Sequence, residues 1–167
     1  MLSKRSAALL LAIALLALLA PFAPGHGAEL QPWLRRSGVE RAVTPQVASA
    51  AERGDAKAQA RLGFMYATGR DVPQNYALAA YWYRRGAEQG NPAAQHLLGL
   101  AYDKGFGVPT DLVLAYMWLN LAAARTRGDA HEDNVRLRDA VAGKLSLGQL
   151  ADGQQLAAVW VPKSERR

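Results

Sequence analysis

Apolar residues between Ala58 and Ala123 follow two alternating helical rhythms, and both rhythms return after 36 residues. In the first, Ala58, Leu62 and Tyr66 stand four apart; Ala94, Leu98 and Tyr102 repeat them. Spacings of three and four put side chains on one face of a helix. In the second, Ala79, Trp82, Tyr83 and Ala87 form a stripe, matched by Ala115, Trp118, Leu119 and Ala123. Breakers separate the rhythms. "LGFMYATGRDVP" (Leu62–Pro73) and "LGLAYDKGFGVP" (Leu98–Pro109) keep the glycines, the tyrosine and the Val-Pro pair while other letters change. Gly54–Gln89 aligns with Gly90–Arg125 without a gap. A fixed period of roughly 20–50 residues is the mark of a repeat array.

Each kept position has a physical task. Gly63 and Gly99 fall inside a predicted helix, where glycine costs about 1 kcal/mol relative to alanine. Its use in both copies predicts the close passage of a neighbouring helix. Gly69 is placed to end the first helix in the left-handed conformation, with Pro73 soon after, where helix cannot continue. Val72 is held extended by the proline behind it. Asn75 and Asp111 stand where an N-cap accepts from free amides. Gly90 closes the pair, and Asn91-Pro92 is a cap followed by proline at the first helical position. Each copy thus reads helix, turn, helix, turn. One pair cannot bury its apolar face alone, whereas stacked pairs can.

The ends of the array have weaker signals. Thr44-Pro45 predicts the start of a short leading helix. Asp129 with Glu132, and Ser146 with Gln149, both have capping-box spacing. They predict helices at Ala130–Lys144 and Leu147–Trp160. Leu150, Gln154, Ala157, Ala158 and Val161 give the last one a partly apolar face suited to closing the stack. Residues 28–43 show no clear period and read as a linker, or as a segment docked through Trp33 and Leu34.

The pattern "AxxxLGxxYxxGxxVPxxxxxAxxWY" resembles the Sel1-like repeat, a relative of the tetratricopeptide repeat. The resemblance covers about Thr44 to Trp160, with full copies at 54–89 and 90–125, a half copy before them and C-terminal capping helices at 129–160. It implies an all-α, short right-handed solenoid of stacked helix-turn-helix repeats. It also implies that the first helices line a concave groove that holds partners. Asp71 departs from the family pattern, which has glycine there, so Asp71 must tolerate a strained turn or that loop is reshaped; Gly107 keeps the family letter.

Composition adds a compartment. Lys4 and Arg5 precede an unbroken apolar run, Ala7–Ala20, and then "PFAPGHGA". This is the layout of a secretory signal peptide, residues 1–27, cleaved after Gly27 or Ala28. The run of 14 residues is short of the ~20 that a membrane-spanning helix requires. The other reading is an uncleaved anchor. With cleavage, the protein is periplasmic or secreted, and no stable membrane insertion is expected. The chain has no cysteine, which excludes disulfides, a thiol nucleophile and a cysteine-based zinc site. Its net charge of +6 overstates the folded part, because Lys4 and Arg5 leave with the signal and the tail 161–167 is basic. No basic stripe interleaved with aromatics appears, so no nucleic-acid partner is expected.

Chemistry-bearing residues are sparse. His96 and His131 lack a second ligand at helical spacing, and no metal or cofactor is expected. None of Ser37, Ser49, Ser146 and Ser164 lies in G-x-S-x-G or begins S-x-x-K. Glu132 and Asp133 are adjacent and point apart on a helix. Trp82 and Trp118, like Tyr66 and Tyr102, recur in both copies and read as core. Arg84 and Arg85 read as solvated. The positions that differ between copies are the informative ones. Lys57, Arg61, Phe64 and Thr68 form a second face of the first helix, and Ala93, Leu97, Leu100 and Lys104 correspond in copy two, with His96 beside them. Phe64 and Leu100 rimmed by Arg61 and Lys104 read as an apolar anchor with a basic border; the other reading is that Phe64 packs on a neighbouring helix. The expected function is a non-catalytic adaptor of the bacterial cell envelope. It binds a protein or peptide through Lys57, Arg61, Phe64, Thr68, His96, Leu100 and Lys104. The alternatives are an enzyme or glycan-binding protein acting on cell-wall material or polysaccharide, and a purely structural subunit.

Overall fold

The structure is a computed structural model of the 167-residue chain and describes residues 45–163. The predicted signal peptide, the linker with Trp33 and Leu34, the Thr44 cap and the tail beyond residue 163 lie outside the described residues. Among the described residues there are seven helices and no strand: α1 (Pro45–Glu52), α2 (Ala56–Thr68), α3 (Tyr76–Glu88), α4 (Pro92–Lys104), α5 (Leu112–Arg125), α6 (Asp129–Ala142) and α7 (Leu147–Val159). The fold is the all-α solenoid of helix-turn-helix repeats that the 36-residue period predicts. Consecutive helices pack in antiparallel pairs, α2 with α3 and α4 with α5.

The caps follow the sequence signals. Asp55, Asn75, Asn91 and Asp111 each accept from a backbone N–H three residues on, at 2.7–3.0 Å. Each satisfies one of the four orphan donors at a helix start, a contribution of about 1 kcal/mol. Gly69 and Gly105 end α2 and α4 in the left-handed conformation. The loops are pinned identically: the Asn75 N–H donates to Tyr66 O, and the Asp111 N–H to Tyr102 O.

The close approach predicted at the mid-helix glycines is real. A Cβ on Gly63 would lie 2.5 Å from the Tyr83 ring, and one on Gly99 would lie 2.8 Å from Leu119 Cγ. Each pair therefore packs backbone against side chain with no room for a methyl group. Trp82, Leu98 and Leu119 are buried between the layers, each burial stabilising by roughly 1.5–3 kcal/mol. Tyr66, Tyr102 and Trp118 are core as well. Two buried glutamines link successive pairs: Gln59 Nε2 donates to Ala51 O at 3.0 Å and Gln95 Nε2 to Ala87 O at 3.3 Å.

α5 is the centre of the stack, packed by α4, α6 and α7. It is apolar nearly all round, as a helix with partners on several sides must be. Gly153 admits α7: a Cβ there would lie 2.8 Å from the Tyr116 ring. Trp160 then meets Trp118 edge-on at 6.0 Å, and the Arg125 guanidinium lies 4.7 Å over the Trp160 ring.

Three expectations need correction. Asp129 does not cap α6; it is the first helical residue, and Gly128 (φ 58) precedes it with no side-chain cap. Gly128 takes a backbone conformation that begins the helix earlier, and Asp129 and Glu132 then sit in the first turn, where carboxylates favour the helix dipole. The Ser146–Gln149 capping box is present in full. α7 buries Gly153 and Ala157 rather than the whole predicted stripe; Gln154, Ala158 and Val161 are exposed. Arg84 and Arg85 are not simply solvated. Arg84 donates to the Tyr102 hydroxyl at 2.6 Å, and Arg85 lies 5.2 Å over the Trp82 ring.

Candidate partner-binding groove

The first helices of successive pairs, α2 and α4, pack directly on each other, whereas α3 and α5 have no comparable contact. The stack is therefore tighter on the first-helix side, which curves that side inward. Residues three and four apart on α2 keep one exposed stripe there: Lys57, Arg61, Phe64 and Thr68. All four are exposed, and Phe64 keeps 41% of its surface. The Thr68 hydroxyl donates to Phe64 O at 2.8 Å, so its polar end is occupied locally.

An apolar groove of about 250 Å³ opens beside Phe64. Phe64 and Ala67 form one wall and Leu97, Leu100 and Ala101 of α4 the other. Ala79 and Tyr83 of α3 make the floor. Burial pushes the Tyr83 phenol well above its ordinary range, which keeps it neutral. The far end is closed by Tyr76 and Phe106, whose rings stack at 4.9 Å and 18°. The loop carrying Phe106 reaches Tyr76 because Gly107 (φ 75) has no side chain. A Cβ on Gly107 would lie 2.0 Å from the Tyr76 carbonyl oxygen.

The residues expected at the site divide into two groups. Phe64 and Leu100 face each other across the groove, with Leu97. Lys57 and Arg61 continue the Phe64 stripe and have no ion-pair partner among the described residues. Lys104 is exposed but engaged by Asp103 at 2.8 Å. Asp103 also receives Lys144, from the turn after α6, at 2.5 Å. Burial works to raise the Asp103 carboxyl, but hydrogen bonds and charge from Lys104 and Lys144 outweigh it and hold the group below the usual carboxylate range. His96 is half-buried and its Nδ1 meets Asn134 Oδ1 of α6 at 2.7 Å, so it serves the packing of α6. His131 Nδ1 lies 2.9 Å from Ala123 O. No grouping of three His, Cys, Asp or Glu residues suited to a metal occurs among the described residues.

Tyr76 and Phe106 are the groove residues that sequence reasoning missed. Their counterparts 36 residues away are Leu112 and Arg70. They therefore carry the same signal as Phe64 and Leu100, a position that changes between copies, but in a loop and at a helix start rather than on the first helices.

The Sel1 repeat model matches residues 56–91 and 92–126. The chain is similar to a solved Sel1 repeat protein from Oxalobacter formigenes, with 46% identity and a TM-score of 0.51 over 56% of this chain and 68% of that one. It is also similar to a protective antigen of uropathogenic Escherichia coli that displays an SLR fold. There the identity is 33% and the TM-score 0.64, over 68% of this chain. The chain spans about a quarter of that antigen's length, 24%. No curated protein matches the chain.

Proposed function

The chain belongs to the Sel1 repeat family, and from that premise we propose that it is a non-catalytic adaptor that binds a protein or peptide segment in the α2–α4 groove. Sel1 repeats generally mediate protein–protein interaction. The observation that carries the reading for this chain is the groove itself. It gathers four large apolar side chains at repeat-variable positions, Phe64, Leu100, Tyr76 and Phe106. Three of them are exposed, Phe64 at 41%, Tyr76 at 39% and Phe106 at 48%. Aromatic side chains left part-exposed around a concavity are favoured anchors for a partner. Among the described residues the groove lining carries no carboxylate, histidine, serine or lysine, which supports binding over catalysis.

The apolar run and flanking residues of the first 27 positions support export, and we place the adaptor in the cell envelope. Among the described residues no helix is long and apolar enough to cross a membrane.

Affinity capture tests the proposal. The whole chain, tagged at its C-terminus, is cross-linked in cells, alongside the Arg61→Glu/Phe64→Ala double variant shown to fold by circular dichroism. The adaptor reading expects a defined protein recovered with the wild type and lost with the variant. Equal recovery with both would refute the groove. Recovery of polysaccharide without protein would replace the adaptor by a glycan-binding protein.

A further inference from the structure

We infer that the segment held in this groove is an acidic peptide with a large apolar anchor: a leucine- or aromatic-sized side chain seated between Phe64, Leu100 and Phe106, with carboxylates running toward Arg61 and Lys57. The inference rests on the adaptor reading and adds the chemistry of the partner.

Size favours a peptide side chain. The groove holds about 250 Å³, below the roughly 300–1,000 Å³ that encloses a drug-sized ligand. Its lining is apolar, and the Tyr83 phenol on its floor is neutral. It can receive an apolar side chain whose backbone continues outside.

Charge gives the partner its sign and direction. α2 carries no acidic residue from Ala56 to Thr68. Arg61 lies one helical turn from Phe64 and Lys57 about two turns, or ~5 and ~10 Å along the axis. Neither has an ion-pair partner among the described residues. The acids nearest in sequence do not neutralise them. Asp55 is committed to the Ala58 N–H, Glu52 lies on α1, and Asp71 stands in the loop at the other end of α2. On the facing helix the acid is Asp103, already held by Lys104 and Lys144. These two cations, unpaired among the described residues, thus sit on one side of the anchor site. An extended peptide rises ~3.3 Å per residue, so its carboxylates belong about two to three residues from the anchor.

A random twelve-residue peptide library, displayed on phage, is panned against the whole wild-type chain. It is panned in parallel against Lys57→Glu/Arg61→Glu and against Phe106→Ala. Lys57 and Arg61 are exposed, so the charge reversal leaves the core intact, and helical content is checked by circular dichroism. The expected result is a wild-type consensus with one large apolar residue and two or more Asp or Glu within four positions. Synthetic peptides of that consensus bind the charge-reversed protein at least tenfold more weakly, bind Phe106→Ala at least fivefold more weakly, and lose affinity as salt rises. An apolar consensus without acids, unaffected by charge reversal, overturns the inference and leaves the adaptor reading standing. Failure of the wild type to enrich any peptide over the variants removes both at this groove.

Discussion

Gly107 and Asp71 occupy the same place in the two repeats and share a left-handed backbone, with φ of 75 and 64. One position tolerates a side chain and the other does not. A Cβ on Gly107 would stand 2.0 Å from the Tyr76 carbonyl oxygen and 2.7 Å from the Ala77 nitrogen. These are backbone atoms in the first turn of α3, which the Asn75 cap holds in place, so the loop must retreat. In Gly107→Ala the left-handed φ costs about 1–2 kcal/mol, and loss of the Tyr76–Phe106 stack costs about 0.5–1.5 kcal/mol. A smaller unfolded-state entropy offsets about 0.4–1 kcal/mol. The net loss is about 2 kcal/mol, a Tm drop of roughly 10 °C for a domain of this size. Asp71→Ala keeps a Cβ on an exposed loop and forfeits only the tolerance of aspartate for this conformation, about 0.5 kcal/mol. Urea denaturation of the whole chain, followed by circular dichroism, measures both. Equal costs for the two variants, or a Gly107→Ala loss under about 0.5 kcal/mol, would refute the contact.

Asp103 predicts an acid-dependent tether between α4 and the turn after α6. Its folded-state pKa is lowered, so its stabilisation is full above the unfolded carboxylate value, about 4, and fades as pH falls through the folded value. Urea midpoints of the wild type and Asp103→Asn should differ at pH 7 and converge toward pH 3; a constant gap would contradict the tether. The buried glutamines predict an asymmetry. Gln59 Oε1 accepts from Gln89 at 2.8 Å, whereas Gln95 Oε1 has no hydrogen-bond partner among the described residues. Gln59→Met should therefore cost about 1 kcal/mol more than Gln95→Met in the same assay, because it also removes the short Gln89 bond and leaves Gln89 only its longer contact with Arg85 O. Trp160→Ala removes the ring that covers Trp118 and Arg125 and should cost about 3 kcal/mol, with increased quenching of Trp118 fluorescence by iodide.

The legible part of this fold is the part that repeats. Gly63 and Gly99 announce a close helix pair because one isolated mid-helix glycine is ambiguous and two in register are not. The Asn75 and Asp111 caps are legible for the same reason. Past Arg125 the register is lost, and reading falters there. The α6 start is misplaced by a glycine backbone that no periodic neighbour marks. The buried face of α7 hinges on Gly153, whose small size matters only once the Tyr116 ring is placed against it. His96 shows the same limit from the other side. It varies between copies, as a partner-facing residue would, yet it meets Asn134, because the next first helix in the stack belongs to the non-repeating end. Difference between copies thus has two causes, a partner outside the stack or a neighbour that is not a repeat. The surface a side chain still exposes once its contacts are made separates them. Phe64, Tyr76 and Phe106 differ between copies and remain part-exposed around one concavity, which is why the groove, and not the histidine, carries the functional argument.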